Sequence, residues 1–151
     1  MSGRLLPAGH YGFGDLRAAD YVQTAEATIT AAMIDAFAAL TGDSFAIHMT
    51  DKGARDKGFP ARVAHGLLVL SVIDGLKNQA PAQFRAIASL GWDWRFRRPV
   101  FAGDRLSATL TLRSKRKTSN PGRGILRLAV VARNQHGETV QEGRNLLMVH
   151  R

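Results

Sequence analysis

The 151-residue chain is the length of one ordinary domain, and its 45% apolar content can close a core unaided, which excludes global disorder. It has no cysteine, which excludes disulfides, cysteine metal sites and thiol nucleophiles and is compatible with a reducing cytosol. A net charge of +9 admits nucleic acid or an anionic small molecule as partner. The dense basic runs at 95–99 and 113–117 sit in no zinc finger, RNA-recognition motif or long basic helix, so no nucleic acid is expected.

Residues 1–20, rich in Gly, Pro and Ala, read as an arm leading into a single domain over 1–151. This segment lacks the apolar core of a signal peptide, and no window approaches a membrane span, so the expectation is a cytoplasmic protein with no membrane partner. Residues 21–29 suit a first strand. Thr30 can cap a helix whose apolar set is Met33, Ile34, Phe37 and Leu40, and Gly42 stands where such a helix ends.

From 43 to 63 the chain is polar and broken by Gly53, Gly58 and Pro60, which predicts a long loop with one short helix. The stretch 65–79, apolar nearly all round, predicts a buried helix. The period then changes to two. In 88–97, Ala88, Leu90, Trp92, Trp94 and Phe96 share one face, and three further strands follow at 106–114, 124–134 and 138–150. Four strands in a meander, joined to the first, make a five-stranded antiparallel sheet around one helix, an α+β arrangement. Such a sheet leaves an edge to cover, and a homodimer is expected.

Two short segments could carry chemistry. Asp43 and His48 lie five residues apart across a turn, a spacing that suits either a proton-transfer pair or a helix-end turn followed by an ordinary histidine. Gly66 opens the buried helix, where a free backbone N–H can hold an oxygen gaining negative charge or can simply mark a turn. The other histidines, at 10, 65, 136 and 150, have no paired metal spacing, and no metal is proposed. "YGFGD" at 11–15 lacks the strand and helix of a dinucleotide site, and no serine sits in a nucleophile elbow.

Together, "TGDSFAIHMT" (41–50), "VAHGLL" (63–68) and "RRPVFAGDRL" (97–106) resemble the MaoC-like dehydratase family, which includes the (R)-specific enoyl-CoA hydratases of the hot-dog fold. The likeness runs from about 20 to about 148. It implies a sheet wrapped around the helix at 66–79 with the 43–63 loop overhanging it. It further implies water activation by Asp43 and His48 and an oxyanion donor at Gly66 N–H. The implied reaction is reversible hydration of a trans-2-enoyl-CoA to an (R)-3-hydroxyacyl-CoA, with coenzyme A entering as part of the substrate and no separate cofactor.

Three positions depart from the family pattern. Phe45-Ala46 replaces Asn-Pro, Thr50 stands where Asp is common, and Asp74 stands where some members carry serine. Asp74 is either a partner within the site or a surface residue at the helix end, and it keeps open a hot-dog acyl-CoA thioesterase as the alternative. A non-catalytic binder of an acidic ligand is the third reading. His65 is expected to stabilise the helix start more than to act on substrate. Arg95, Arg97, Arg98 and the 113–117 run are candidates for the coenzyme A phosphates or are solvated strand edges. Phe45, Trp92 and Trp94 are candidates for shaping the acyl pocket.

Overall fold

The computed structural model describes residues 2–151, and its strands follow the period-two segments of the sequence. In chain order the elements are β1 (Gly9–Tyr11), β2 (Tyr21–Gln23), β3 (Ala27–Thr28), α1 (Ala31–Thr41), α2 (Ala46–Met49), α3 (Asp51–Arg55) and α4 (Gly66–Gln79). The second half adds β4 (Ala82–Phe84), β5 (Ala86–Phe96), β6 (Arg105–Lys117), β7 (Arg123–Arg133) and β8 (Thr139–His150). The main sheet is antiparallel in the order β2–β6–β7–β8–β5, and β3 also pairs with β6. This is the α+β hot-dog fold. No helix among the described residues is long and apolar enough to cross a membrane.

One-sided strands create the core. Leu106, Leu110 and Leu112 on β6, Leu126, Leu128 and Val130 on β7, and Leu147 and Val149 on β8 are all buried on the inner face. They form one cluster with Leu68, Val69, Ile73 and Leu76 of α4. Burying a Leu, Ile or Val side chain of this kind contributes about 1.5–3 kcal/mol, which makes the docking of α4 the main source of its helicity. The helix is not buried all round, however. Leu67, Ser71 and Asn78 are exposed and define a free face.

Four expectations need correction. The last four strands are not a simple meander, because β5 pairs with β8 at the sheet edge and the chain then crosses back to start β6. The first strand is broken, since Thr24 leaves the β2 line and its Oγ accepts the Ala108 N–H at 2.9 Å. Leu40 is 83% exposed; it lies about 120° around α1 from the buried Ile34. On β5, Ala88 and Leu90 do not share the face of Trp92 and Trp94. A bulge at Leu90 leaves it without a partner and places Ser89 inward, opposite Leu147, where its Oγ accepts from Asn145 Nδ2 at 2.8 Å.

The arm of residues 2–20 is docked. β1 pairs in parallel with β4, Leu6 and Leu16 are buried, and Lys115 Nζ donates to the Phe13 and Leu16 carbonyls at 2.6 and 2.7 Å. Asp20, 4% exposed, fixes the end of the arm by accepting from Arg4 Nε and Nη2 at 3.1 and 2.7 Å and from the Arg17 N–H at 2.9 Å. The Arg4 hydrogen bond holds the Asp20 carboxyl below the usual carboxylate range, against the opposing effect of burial. A depressed folded pKa stabilises the fold above the unfolded value of about 3.9 and ceases to do so as pH falls through the folded value. Asp20→Asn is therefore expected to cost about 1–3 kcal/mol at neutral pH. In urea titrations the difference from the parent should vanish at the acid end; a gap independent of pH would refute the assignment.

Candidate active site

The site is assembled where α1 ends and α4 begins. α1 is capped by Thr30, whose hydroxyl accepts the Met33 N–H at 3.1 Å, and is closed by Gly42, whose φ of +78° lies in the left-handed region that glycine enters at no steric cost. Asp43 follows directly. Its Oδ1 accepts the Phe45 N–H at 3.3 Å, an Asx turn that leaves Oδ2 pointing at α2.

His48, 8% exposed, occupies α2. Its Nδ1 is 2.7 Å from the Val63 carbonyl, and because a carbonyl only accepts, Nδ1 carries the proton. In the neutral ring Nε2 is then a lone pair, and it stands 3.9 Å from Asp43 Oδ2. That separation exceeds a direct hydrogen bond.

His65 binds the two halves together. It immediately precedes α4, is 2% exposed, and donates from Nε2 to the Asp43 backbone carbonyl at 2.9 Å. Its ring stacks on His48 with centroids 3.9 Å apart, and Phe37 of α1 packs behind it at 4.9 Å. The sequence expectation placed His65 at the helix start; the structure adds that it positions both Asp43 and His48.

Gly66 is the first residue of α4, so its N–H has no acceptor within the helix. A Cβ here would lie 2.5 Å from the Phe96 ring, so glycine allows the strand and the helix start to approach. Gly66, Asp43, His48 and His65 all line one cavity of about 500 Å³, bordered also by Phe96, Arg97, Arg98 and Gln141.

The structure brings some of the other candidates to this cavity and not others. Arg97 and Arg98 border it, paired with Glu142 at 3.5 Å and Glu138 at 3.2 Å. Arg95 does not; it pairs with Asp93 at 3.2 Å. In the 113–117 run, Lys115 is committed to the N-terminal arm. Phe45 is half exposed, outside the cavity lining, with its ring edge-on to His48 at 6.1 Å. Trp92 and Trp94 do not line the cavity either. Asp74 is eight residues along α4 from Gly66, about 12 Å, and its Oδ1 pairs with Lys77 Nζ at 2.6 Å. That separation keeps Asp74 out of the lining of the cavity at Gly66. Thr50 caps α3, accepting the Gly53 N–H at 2.9 Å.

Sequence reasoning missed two residues. Arg62 donates from Nε to the His48 carbonyl and from Nη2 to Asp35 on α1, and its own N–H goes to Asp51 Oδ1 at 2.9 Å. Nothing in its sequence context marks it. Gln141, 2% exposed, donates from Nε2 to the Gly66 carbonyl at 3.0 Å and accepts from Trp94 Nε1 at 2.7 Å. Its signal was available, since it is a polar residue at an inward position of an alternating strand.

Asp43, His48 and His65 offer potential ligand atoms within 4.8 Å of one another. His48 Nδ1 and His65 Nε2 are committed to carbonyls, and the remaining ring lone pairs lie in the planes of two stacked rings. His48 Nε2, His65 Nδ1 and the Asp43 carboxylate are the potential ligand atoms left without a carbonyl partner.

Residues 15–134 match the family described as MaoC like domain. The chain is 37% identical over 116 residues to protein MaoC of Klebsiella aerogenes, a match covering 76% of this chain and 33% of that protein. To the (R)-specific enoyl-CoA hydratase of Aeromonas caviae it is 33% identical over 87 residues, 58% of this chain and 64% of the hydratase. Among solved structures, the monoamine oxidase regulatory protein from Archaeoglobus fulgius aligns with a TM-score of 0.87 at 28% identity, covering 97% of this chain and 99% of that one. The chain thus spans a third of the length of MaoC and less than two thirds of that of the hydratase. On the strength of the match across 15–134, the chain belongs to the MaoC-like dehydratase family.

Proposed function

We propose that the protein reversibly hydrates a trans-2-enoyl-CoA to a 3-hydroxyacyl-CoA. The observation that carries this reading is the convergence of Asp43, His48 and the Gly66 N–H on one cavity. The thioester oxygen accepts from Gly66 N–H, which draws electron density from the β-carbon and stabilises the charge that collects on oxygen. A water held between His48 Nε2 and Asp43 Oδ2, about 2.8 Å from each, attacks that carbon. His48 Nε2 takes its proton, with Nδ1–H fixed on the Val63 carbonyl so that the lone pair stays directed at the water. A proton is delivered to the α-carbon from the same pair, and the coupling of the two groups makes the dyad the acid–base unit.

The (R) product is assigned from the likeness to the Aeromonas caviae hydratase. Arg97 and Arg98, at the cavity border, are assigned to the coenzyme A phosphates. No further cofactor enters the scheme. A homodimer completes the reading. β5 offers an unpaired edge along Ala86–Phe96, with Ile87, Leu90 and Phe96 exposed, and a second copy paired along it would satisfy that edge.

Three outcomes are expected. His48→Ala and Asp43→Asn should each reduce kcat for crotonyl-CoA hydration by about 10²–10⁴-fold with an unchanged circular dichroism spectrum; activity within a few fold of the parent would sink the scheme. In ¹⁵N spectra above the imidazole transition, His48 should be the Nδ1–H tautomer and His65 the Nε2–H tautomer; the opposite pattern at His48 removes it as base. Sedimentation should give twice the chain mass, reduced by Leu90→Lys; a monomeric parent refutes the dimer.

A further inference from the structure

We propose that Trp94 and Gln141 form the end stop of the acyl pocket and restrict the substrate to short, crotonyl-sized acyl groups. The inference rests on the hydratase reading above and adds to it the class of acyl group.

The cavity at Gly66 is lined by residues of α4, β5 and β8, and a tail that entered between α4 and the sheet would follow these elements. Its lining there ends with Val69 on α4, Phe96 on β5 and Gln141 on β8, and the next inward residues, Ile73 and Trp94, are not part of it. Gln141 closes the gap by a double tie, one to the Gly66 carbonyl at 3.0 Å and one from Trp94 Nε1–H at 2.7 Å. Rotating this amide aside would leave two buried hydrogen bonds unmade, which opposes any opening for a longer tail.

Trp94 is itself wedged. It lies opposite Gly143, where a Cβ would come within 2.0 Å of the Asp93 carbonyl oxygen and 2.8 Å of the Trp94 ring, so only glycine lets the indole lie against β8. Behind it Trp92 stands edge-on with ring centroids 5.3 Å apart. Behind Trp92 comes Lys77, 5% exposed, with Nζ 5.5 Å over the Trp92 ring and 2.6 Å from Asp74 Oδ1. Lys77 shares the helix face of Gly66, eleven residues or about 16 Å further along. A tail extended along α4 would therefore meet an amide, then two indoles, then the buried Lys77 ammonium paired with the half-buried Asp74. Desolvating that pair against an apolar tail is unfavourable.

The test compares kcat/KM for crotonyl-CoA and trans-2-octenoyl-CoA in the full chain. The wild type should favour crotonyl-CoA by at least about tenfold. Trp94→Ala should move the ratio at least about tenfold toward octenoyl-CoA, and Trp94→Leu, which leaves a smaller void, should move it in the same direction. Trp94→Phe loses the bond to Gln141 but keeps most of the volume, and it should retain the wild-type order. Equal handling of both esters by the wild type, or an unchanged ratio in both Trp94→Ala and Trp94→Leu, would overturn the inference. If the wild type hydrates neither ester, the hydratase reading fails, and pocket length is read instead from calorimetric binding of butyryl-CoA and octanoyl-CoA. Tighter binding of butyryl-CoA, reversed in Trp94→Ala, supports the end stop; the same order in both proteins overturns it.

Discussion

A single buried imidazole holds the site in register. His65 sits at the junction of the loop with α4, bonds the Asp43 carbonyl, stacks on His48 and backs onto Phe37. The three contacts reach the turn after α1, the helix α2 and α1 itself. Because Gly66 is the next residue, its free N–H and the Asp43–His48 pair are tied through one side chain. The stack also sets the chemistry. With Nδ1 of His48 and Nε2 of His65 both donating to carbonyls, each ring has one defined free nitrogen when neutral.

The sheet supplies the complementary surface. Val100, in the crossing from β5 to β6, accepts the Ala64 N–H at 2.7 Å, which fixes the chain two residues ahead of Gly66. That crossing turns at Gly103, where φ is +95°, and Asp104 Oδ2 accepts the Phe101 N–H at 2.9 Å. The "PVFAGD" stretch is therefore a structural brace for the helix start. From the other side, Gln141 pins the Gly66 carbonyl, so the chain entering α4 is held by the crossing at Ala64 and by β8 at Gly66.

Much of this was legible in the sequence because it depends on local chemistry. Thr30 and Gly42 delimit α1 by capping and by backbone sterics, and the leucines of β6 declare their inner face by alternation. Asp43, His48 and Gly66 were legible as a set only through the resemblance of their two segments to the MaoC-like family, since each alone has an ordinary explanation. What was missed depends on contacts between distant segments. The bulge at Leu90 is one inserted residue whose effect is defined by its partner strand, and it reversed the faces assigned to Ala88, Ser89 and Leu90. The position of β5 outside β8 is a matter of topology that periodicity does not encode. Arg62 looks like any loop arginine until α1, α2 and α3 surround it, and Asp74, open between a site partner and a surface residue, pairs with Lys77.

The overhanging segment and the surface beneath it are held by different forces. Below lie α4 and the leucines of the sheet, joined by burial. Above, α2 is held by the His48 ring on the Val63 carbonyl and on His65 and by the Val63 N–H on the Ile47 carbonyl, and Arg62 adds ties to Asp35, the His48 carbonyl and Asp51, while α3 carries the exposed pairs Lys52–Asp56 and Arg55–Asp51. Dissolved ions weaken the exposed charge pairs and leave apolar burial intact or strengthened. Roof and floor therefore answer to different solvent variables, and the ionic strength of the surroundings acts on the Arg62–Asp35 tie above without loosening the apolar packing of α4 below.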